Sequence, residues 1–61
     1  MKKIEMLRAK LAAKRAECAQ FAKDNEEQWN EELHAKLQEM VAEAKSIELS
    51  IEREYTLLGV S

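Results

Sequence analysis

Apolar residues recur along the chain at steps of three and four. Ile4, Leu7, Leu11, Cys18 and Phe21 form a first stripe, with Lys14 standing in the seam position between Leu11 and Cys18. That spacing gathers them on one face of an α-helix and predicts a first helix over residues 3–23. A second stripe runs through Leu33, Leu37, Met40, Ala44, Ile47, Ile51 and Leu58, widened by Val41 and Tyr55. It predicts a second helix over residues 30–57. The widening matters, because three apolar positions per heptad suit a bundle whereas a strict two-position seam suits a simple coiled coil.

Heptad phase discriminates between one long rod and a hairpin. The first seam falls on 4, 11, 18 and 7, 14, 21, and the second on 37, 44, 51, 58 and 33, 40, 47. The second is displaced by five residues, which neither the four-residue stutter nor the three-residue stammer of a continuous coil absorbs. Between the stripes, residues 23–32 hold a single apolar side chain, Trp29. Two helix-start signals sit there: Asp24 with Glu27 makes a candidate capping box, and Asn30 precedes the acidic pair Glu31-Glu32. The expected architecture is all-α: one domain over 1–61, a coiled-coil-like antiparallel two-helix hairpin with its turn at 24–29. A rod of about 90 Å is the alternative, kept open by the lack of Gly or Pro at the bend.

Composition agrees with helix and excludes other classes. There is no Pro, the single Gly lies at position 59, and 36% of residues are charged, which fits neither a sheet, a collagen-like repeat nor a disordered tail. At 61 residues the chain holds only a small core, so association into a larger helical bundle, or attachment to something larger, is expected. Its apolar runs are too short for a membrane span or a signal-peptide core, and the chain reads as soluble. A single cysteine excludes an internal disulfide, and the cytosol is the simpler setting.

Charge separates the same two halves. Residues 1–23 carry seven basic and two acidic side chains, a net of +5, while residues 24–61 carry three basic and ten acidic, a net of −7. Such helices attract when antiparallel, and the charged positions Arg8, Lys10, Lys14 and Arg15 are candidate contact residues. Seven basic side chains could also neutralise phosphates, but there is no aromatic stacking platform or recognition motif, and the acidic half follows at once. The balance is against nucleic acid. Membrane-surface binding is disfavoured by the Ala-diluted apolar face and the acidic second helix.

Reactive chemistry finds little support. Glu31 and His34 form one Glu-x-x-His, the spacing of di-iron bundles, but Glu31 lies off the seam, His34 sits at its edge as a half-buried flank residue, and Glu17 flanks the other helix; no metal site is expected. Cys18 packs as a small apolar seam residue with no neighbouring His to activate it. Met1, Met6 and Met40 are gap fillers. Trp29 has two readings of equal weight: a staple folded over the ends of both stripes, or part of a contact surface for another chain. No phosphate loop, catalytic triad or paired core carboxylates are present, so neither catalysis nor a cofactor is expected.

The order of these features resembles a known family. A basic, Ala-rich opening, Met1-Lys-Lys-Ile-Glu-Met-Leu-Arg-Ala-Lys-Leu-Ala-Ala-Lys-Arg-Ala16, is followed by the acidic turn Asn25-Glu-Glu-Gln-Trp-Asn-Glu-Glu32. Then comes Leu33-x-x-x-Leu37-x-x-Met40-x-x-x-Ala44-x-x-Ile47-x-x-x-Ile51-x-Arg53. Over nearly the whole chain this is similar to the N-terminal scaffolding (delta) segment of tailed-phage major capsid proteins of the Hong Kong ninety-seven type. The resemblance implies a non-catalytic segment inside the immature shell, in the host cytoplasm, that helps capsid subunits assemble. Its implied partners are other copies of itself, the capsid shell domain and a maturation protease that removes it. The shell-forming domain is missing here, and the closing Leu57-Leu58-Gly59-Val60-Ser61 suits a fragment boundary. The competing class is a free-standing adaptor or regulator: a hairpin that dimerises into a four-helix bundle, binding RNA through its basic first helix. It would need Lys3, Arg8, Lys10 and Arg15 exposed, whereas a scaffold sets them against acidic helices.

Overall fold

Ala, Leu, Lys, Glu and Met, all strong helix formers, fill the stretches on either side of Trp29, and no proline interrupts them. A computed structural model describes the backbone of residues 2–60 and the side chains of residues 2–59. Met1, Ser61 and the side chain of Val60 lie outside the described residues, and with them the gap-filling role expected of Met1 and the last part of the expected fragment boundary. The chain forms α1 (Lys2–Asp24), one 3₁₀ turn (Glu26–Gln28) and α2 (Glu31–Val60). Thirty residues of α2 alone span about 45 Å, and the molecule measures 50 × 17 × 9 Å. The rod is therefore excluded: α1 lies back along α2 as an antiparallel hairpin.

The reversal is built from backbone groups that a helix end leaves unpaired. At the end of α1, the Asn25 backbone N–H (3.2 Å) and the Asn25 side-chain Nδ2 (2.8 Å) both donate to the Phe21 carbonyl. The Gln28 N–H then donates to the Asn25 carbonyl at 3.1 Å, closing the 3₁₀ turn. Trp29 is extended (φ −60°, ψ 134°) and carries the chain into the next helix. There Asn30 caps α2: its Oδ1 accepts the Leu33 N–H at 2.9 Å and its carbonyl accepts the His34 N–H at 3.0 Å. Glu31 and Glu32 occupy the first turn of α2, where the helix dipole favours negative charge. Replacing Asn30 by Ala should cost about 1 kcal/mol, read as a fall of several degrees in the melting midpoint by circular dichroism.

The Asp24–Glu27 capping box does not form. Asp24 is still the last residue of α1, where its Oδ1 accepts the Gln20 side-chain amide at 2.6 Å. Because Asn25 closes α1 with both its main chain and its side chain, the turn begins one residue later and Asp24 has no helix to start.

The core is a single line of contact between two helices. Ile4 and Ala44 are buried, at 6% and 9% exposure. Leu7, Leu11, Cys18 and Phe21 of α1, and Leu33, Leu37, Met40, Ile47 and Ile51 of α2, are half-buried. Three positions assigned to the seam stand outside it: Val41 (51% exposed), Tyr55 (46%) and Leu58 are exposed. A second helix covers only a narrow strip of the first, so Val41 and Tyr55, which widen the stripe, fall at its edge, while Leu58 lies a turn beyond Glu54, which already meets Lys3 at the start of α1. Met6 is exposed as well and fills no gap.

Candidate functional site: a seam with charged flanks

Each flank of the seam carries its own polar ladder between the helices. On one, Lys3 Nζ lies 2.9 Å from Glu54 Oε1, and Lys14 Nζ lies 2.6 Å from Glu43 Oε2. The step from Lys3 to Lys14 is eleven residues, and the step from Glu54 back to Glu43 is also eleven, three turns along each helix. On the other flank, the Arg8 guanidinium donates to the Tyr55 hydroxyl and lies 5.7 Å from the centre of that ring, while Arg15 Nη2 sits 3.8 Å from Glu48 Oε1. There both steps are seven, from Arg8 to Arg15 and from Tyr55 back to Glu48. Equal and opposite steps on both flanks mean that one antiparallel register holds along the hairpin.

Each contact has at least one exposed partner, against half-buried Glu54, Lys14 and Glu48, and pairs open to solvent contribute little apiece, about 0–1 kcal/mol. Their value is in choosing partners and register: a helix slid by one turn would break all four contacts together.

Lys14 is the charged residue set into the apolar stripe of α1, with its side chain 23% exposed. Its stem lies along the seam, and its ammonium reaches the carboxylates of Glu43 (2.6 Å) and Glu17 (3.0 Å). The hydrogen bond to Glu43, followed by that to Glu17, holds the Lys14 ammonium above its ordinary pKa. A lysine whose pKa is raised by folding adds stability that is complete below the unfolded value of about 10.4. That contribution fades as pH climbs through the folded value. The helical signal should therefore fall as pH rises above the unfolded lysine value of about 10.4, and Lys14→Met should reduce this alkaline loss in a pH titration followed by circular dichroism.

The remaining site candidates fall as follows. Lys10 is exposed and has no partner among the described residues. Trp29 folds back over the turn end of the seam: its ring meets Phe21 of α1 edge-on (centroids 6.0 Å apart) and His34 of α2 edge-on (6.3 Å). The staple is thus the geometry present, with His34 as its α2 foothold. His34 itself is exposed rather than half-buried: it stands in the first turns of α2, off the seam face, beside the Trp29 ring. Cys18 is a free, half-buried thiol. Among the described residues, no three His, Cys, Asp or Glu side chains come together as a metal ion would need, and no helix is long and apolar enough to cross a membrane.

The fold and the seam define a class: an all-α helical hairpin whose distinctive surface is the pairing of a basic helix with an acidic one. Beyond that class, no protein-family model, no curated protein and no solved structure matches the chain.

Proposed function

We propose that this chain is a non-catalytic assembly segment that promotes association of the subunits carrying it, as the resemblance to capsid scaffolding segments implies. The observation that carries the reading is the direction of the basic side chains of α1. Lys3 and Arg15 are set against Glu54 and Glu48, Lys14 against Glu43, and Arg8 against Tyr55. Lys3, Arg8, Lys10 and Arg15 are all exposed, as a nucleic-acid binder would also have them, but among the described residues only Lys10 of the four lacks a partner on α2, and a phosphate would have to compete with those contacts for the other three. On this reading the hairpin acts inside the immature phage shell, bringing shell domains together through many weak contacts, and a maturation protease then removes it.

Intact mass of the natural gene product is the most direct test. A precursor of about 40 kDa, the hairpin plus at least one full-sized domain, is expected; a 7 kDa product would overturn the reading. In such a precursor, Cys18→Ala and His34→Gln should leave shell assembly nearly intact, because association depends on no single reactive group. Binding of the hairpin to a defined RNA at physiological salt would favour the regulator instead.

A further inference from the structure

The hairpin exposes more surface than a folded chain of its mass should. Its accessible area is 4965 Å², against about 4,100 Å² expected for a compact monomer of 7.1 kDa. The excess of about 900 Å² is close to the roughly 800 Å² that each partner of a stable complex covers.

The open surface also has a location. Three shallow grooves run end to end along the Arg15 flank: the first two share Arg15 and Glu48, and the second and third share Val41 and Lys45. Together they form one strip along the hairpin, from Tyr55 at the open end to His34 beside the turn. Its floor mixes the apolar side chains of Leu11, Val41 and Ile51 with small residues that let a helix come close.

We propose that this strip is the dimer interface of a second copy of the chain, packed about a two-fold axis along the length of the hairpin, so that both turns lie at the same end of a four-helix bundle. Charge selects that arrangement. Residues Lys2–Asp24 carry seven basic and three acidic side chains, a net of +4, and Glu31–Val60 carry three and seven, a net of −4. Two hairpins can meet face to face in two ways. An axis across the hairpin sets α1 over the partner's α1 and α2 over the partner's α2, like charge on like. An axis along it sets each α1 over the partner's α2 and repeats between copies the attraction already present within one. The inference deepens the assembly reading by naming the partner and its orientation, and it stands apart from whether the assembly is a viral shell.

The test places one nitroxide label in the turn, at Gln28→Cys in a Cys18→Ala background, and measures distances between copies by pulsed electron resonance. Helix axes about 10 Å apart put two neighbouring turns, with their label arms, within roughly 25 Å of each other. A dimer with its turns at opposite ends would give about 45 Å, nearly the 50 Å length of the molecule, and would overturn the proposal. So would a monomer in sedimentation at about 100 μM, where a weak specific dimer still forms. Val41→Glu, at an exposed strip position, should weaken the dimer at least about tenfold. Met6→Glu, exposed and about 160° round α1 from Arg8 and about 180° from Arg15, should not. The reverse ranking would place the interface elsewhere and overturn the assignment. The label distance is read on a chain unaltered in the strip except at Cys18, so it stands even if Val41→Glu unfolds. A short label distance with a 7 kDa natural product would retain this dimer and reject the scaffolding reading; a monomer within a precursor of about 40 kDa would do the opposite.

Discussion

Ile47→Asp should unfold the hairpin, with most of the far-ultraviolet helical signal lost and no associated species left in sedimentation. Ile47 is half-buried on the seam face of α2, and Met40, two turns earlier, shares that face. Burying a side chain of this kind contributes about 1.5–3 kcal/mol, and a carboxylate in its place must either stay charged in a poorly hydrated seam or take up a proton. The reserve against such a loss is small. Among the described hydrophobic residues only Ile4 and Ala44 are buried, and helices in water draw most of their stability from packing of an amphipathic face rather than from propensity. Met40→Asp should behave alike. Met6→Asp, at an exposed position on α1, should leave helicity nearly unchanged. A fully helical Ile47→Asp chain would show that the seam is not what holds the helices.

The elements were legible in the sequence where a physical rule acts locally. Periodicity found both helices, since the same 3.6-residue repeat that gathers Leu33, Leu37 and Ile51 on one face also lines them up against α1. Asn30 announced the start of α2 because a capping side chain needs only the N–H three residues on. The same rule misled at Asp24: Asp followed by Glu three residues later fits a box, but Asn25 was free to close α1 first, and nothing in the spacing ranks the two. The edges of the seam were less legible still. Val41 and Tyr55 extend the stripe on a helical wheel whatever the number of partner helices, and only the packed hairpin shows that one neighbour leaves them exposed. The pairing of particular charges was hidden for a related reason. Opposite nets predict attraction between the helices, yet several registers would satisfy seven basic side chains facing ten acidic ones. The register in which Lys3 meets Glu54 and Arg15 meets Glu48 emerges only when the turn length and the apolar seam are satisfied together.

Reversing Arg8, Lys10 and Arg15 to Glu should separate the helices at low salt while leaving the apolar seam untouched. Each reversal removes two units, so the net of α1 falls from +4 to −2 and now faces −4 on α2. Arg15 is lost to Glu48 and Arg8 to Tyr55, and two of the three new carboxylates come to stand beside the acidic flank they replaced cations on. Exposed pairs are worth at most about 1 kcal/mol each, but here an attraction becomes a repulsion at several positions against a shallow core, and the helical signal should drop by half or more. Salt distinguishes this cause from simple damage to packing. The screening length shrinks from about 10 Å at 0.1 M to about 3 Å at 1 M, so helicity of the reversed chain should recover with added sodium chloride, whereas the unaltered hairpin should weaken as its own ladders are screened. A reversed chain that is as helical as the original at low salt, or that gains nothing from salt, would show that the opposite charges of the two helices do not direct their pairing.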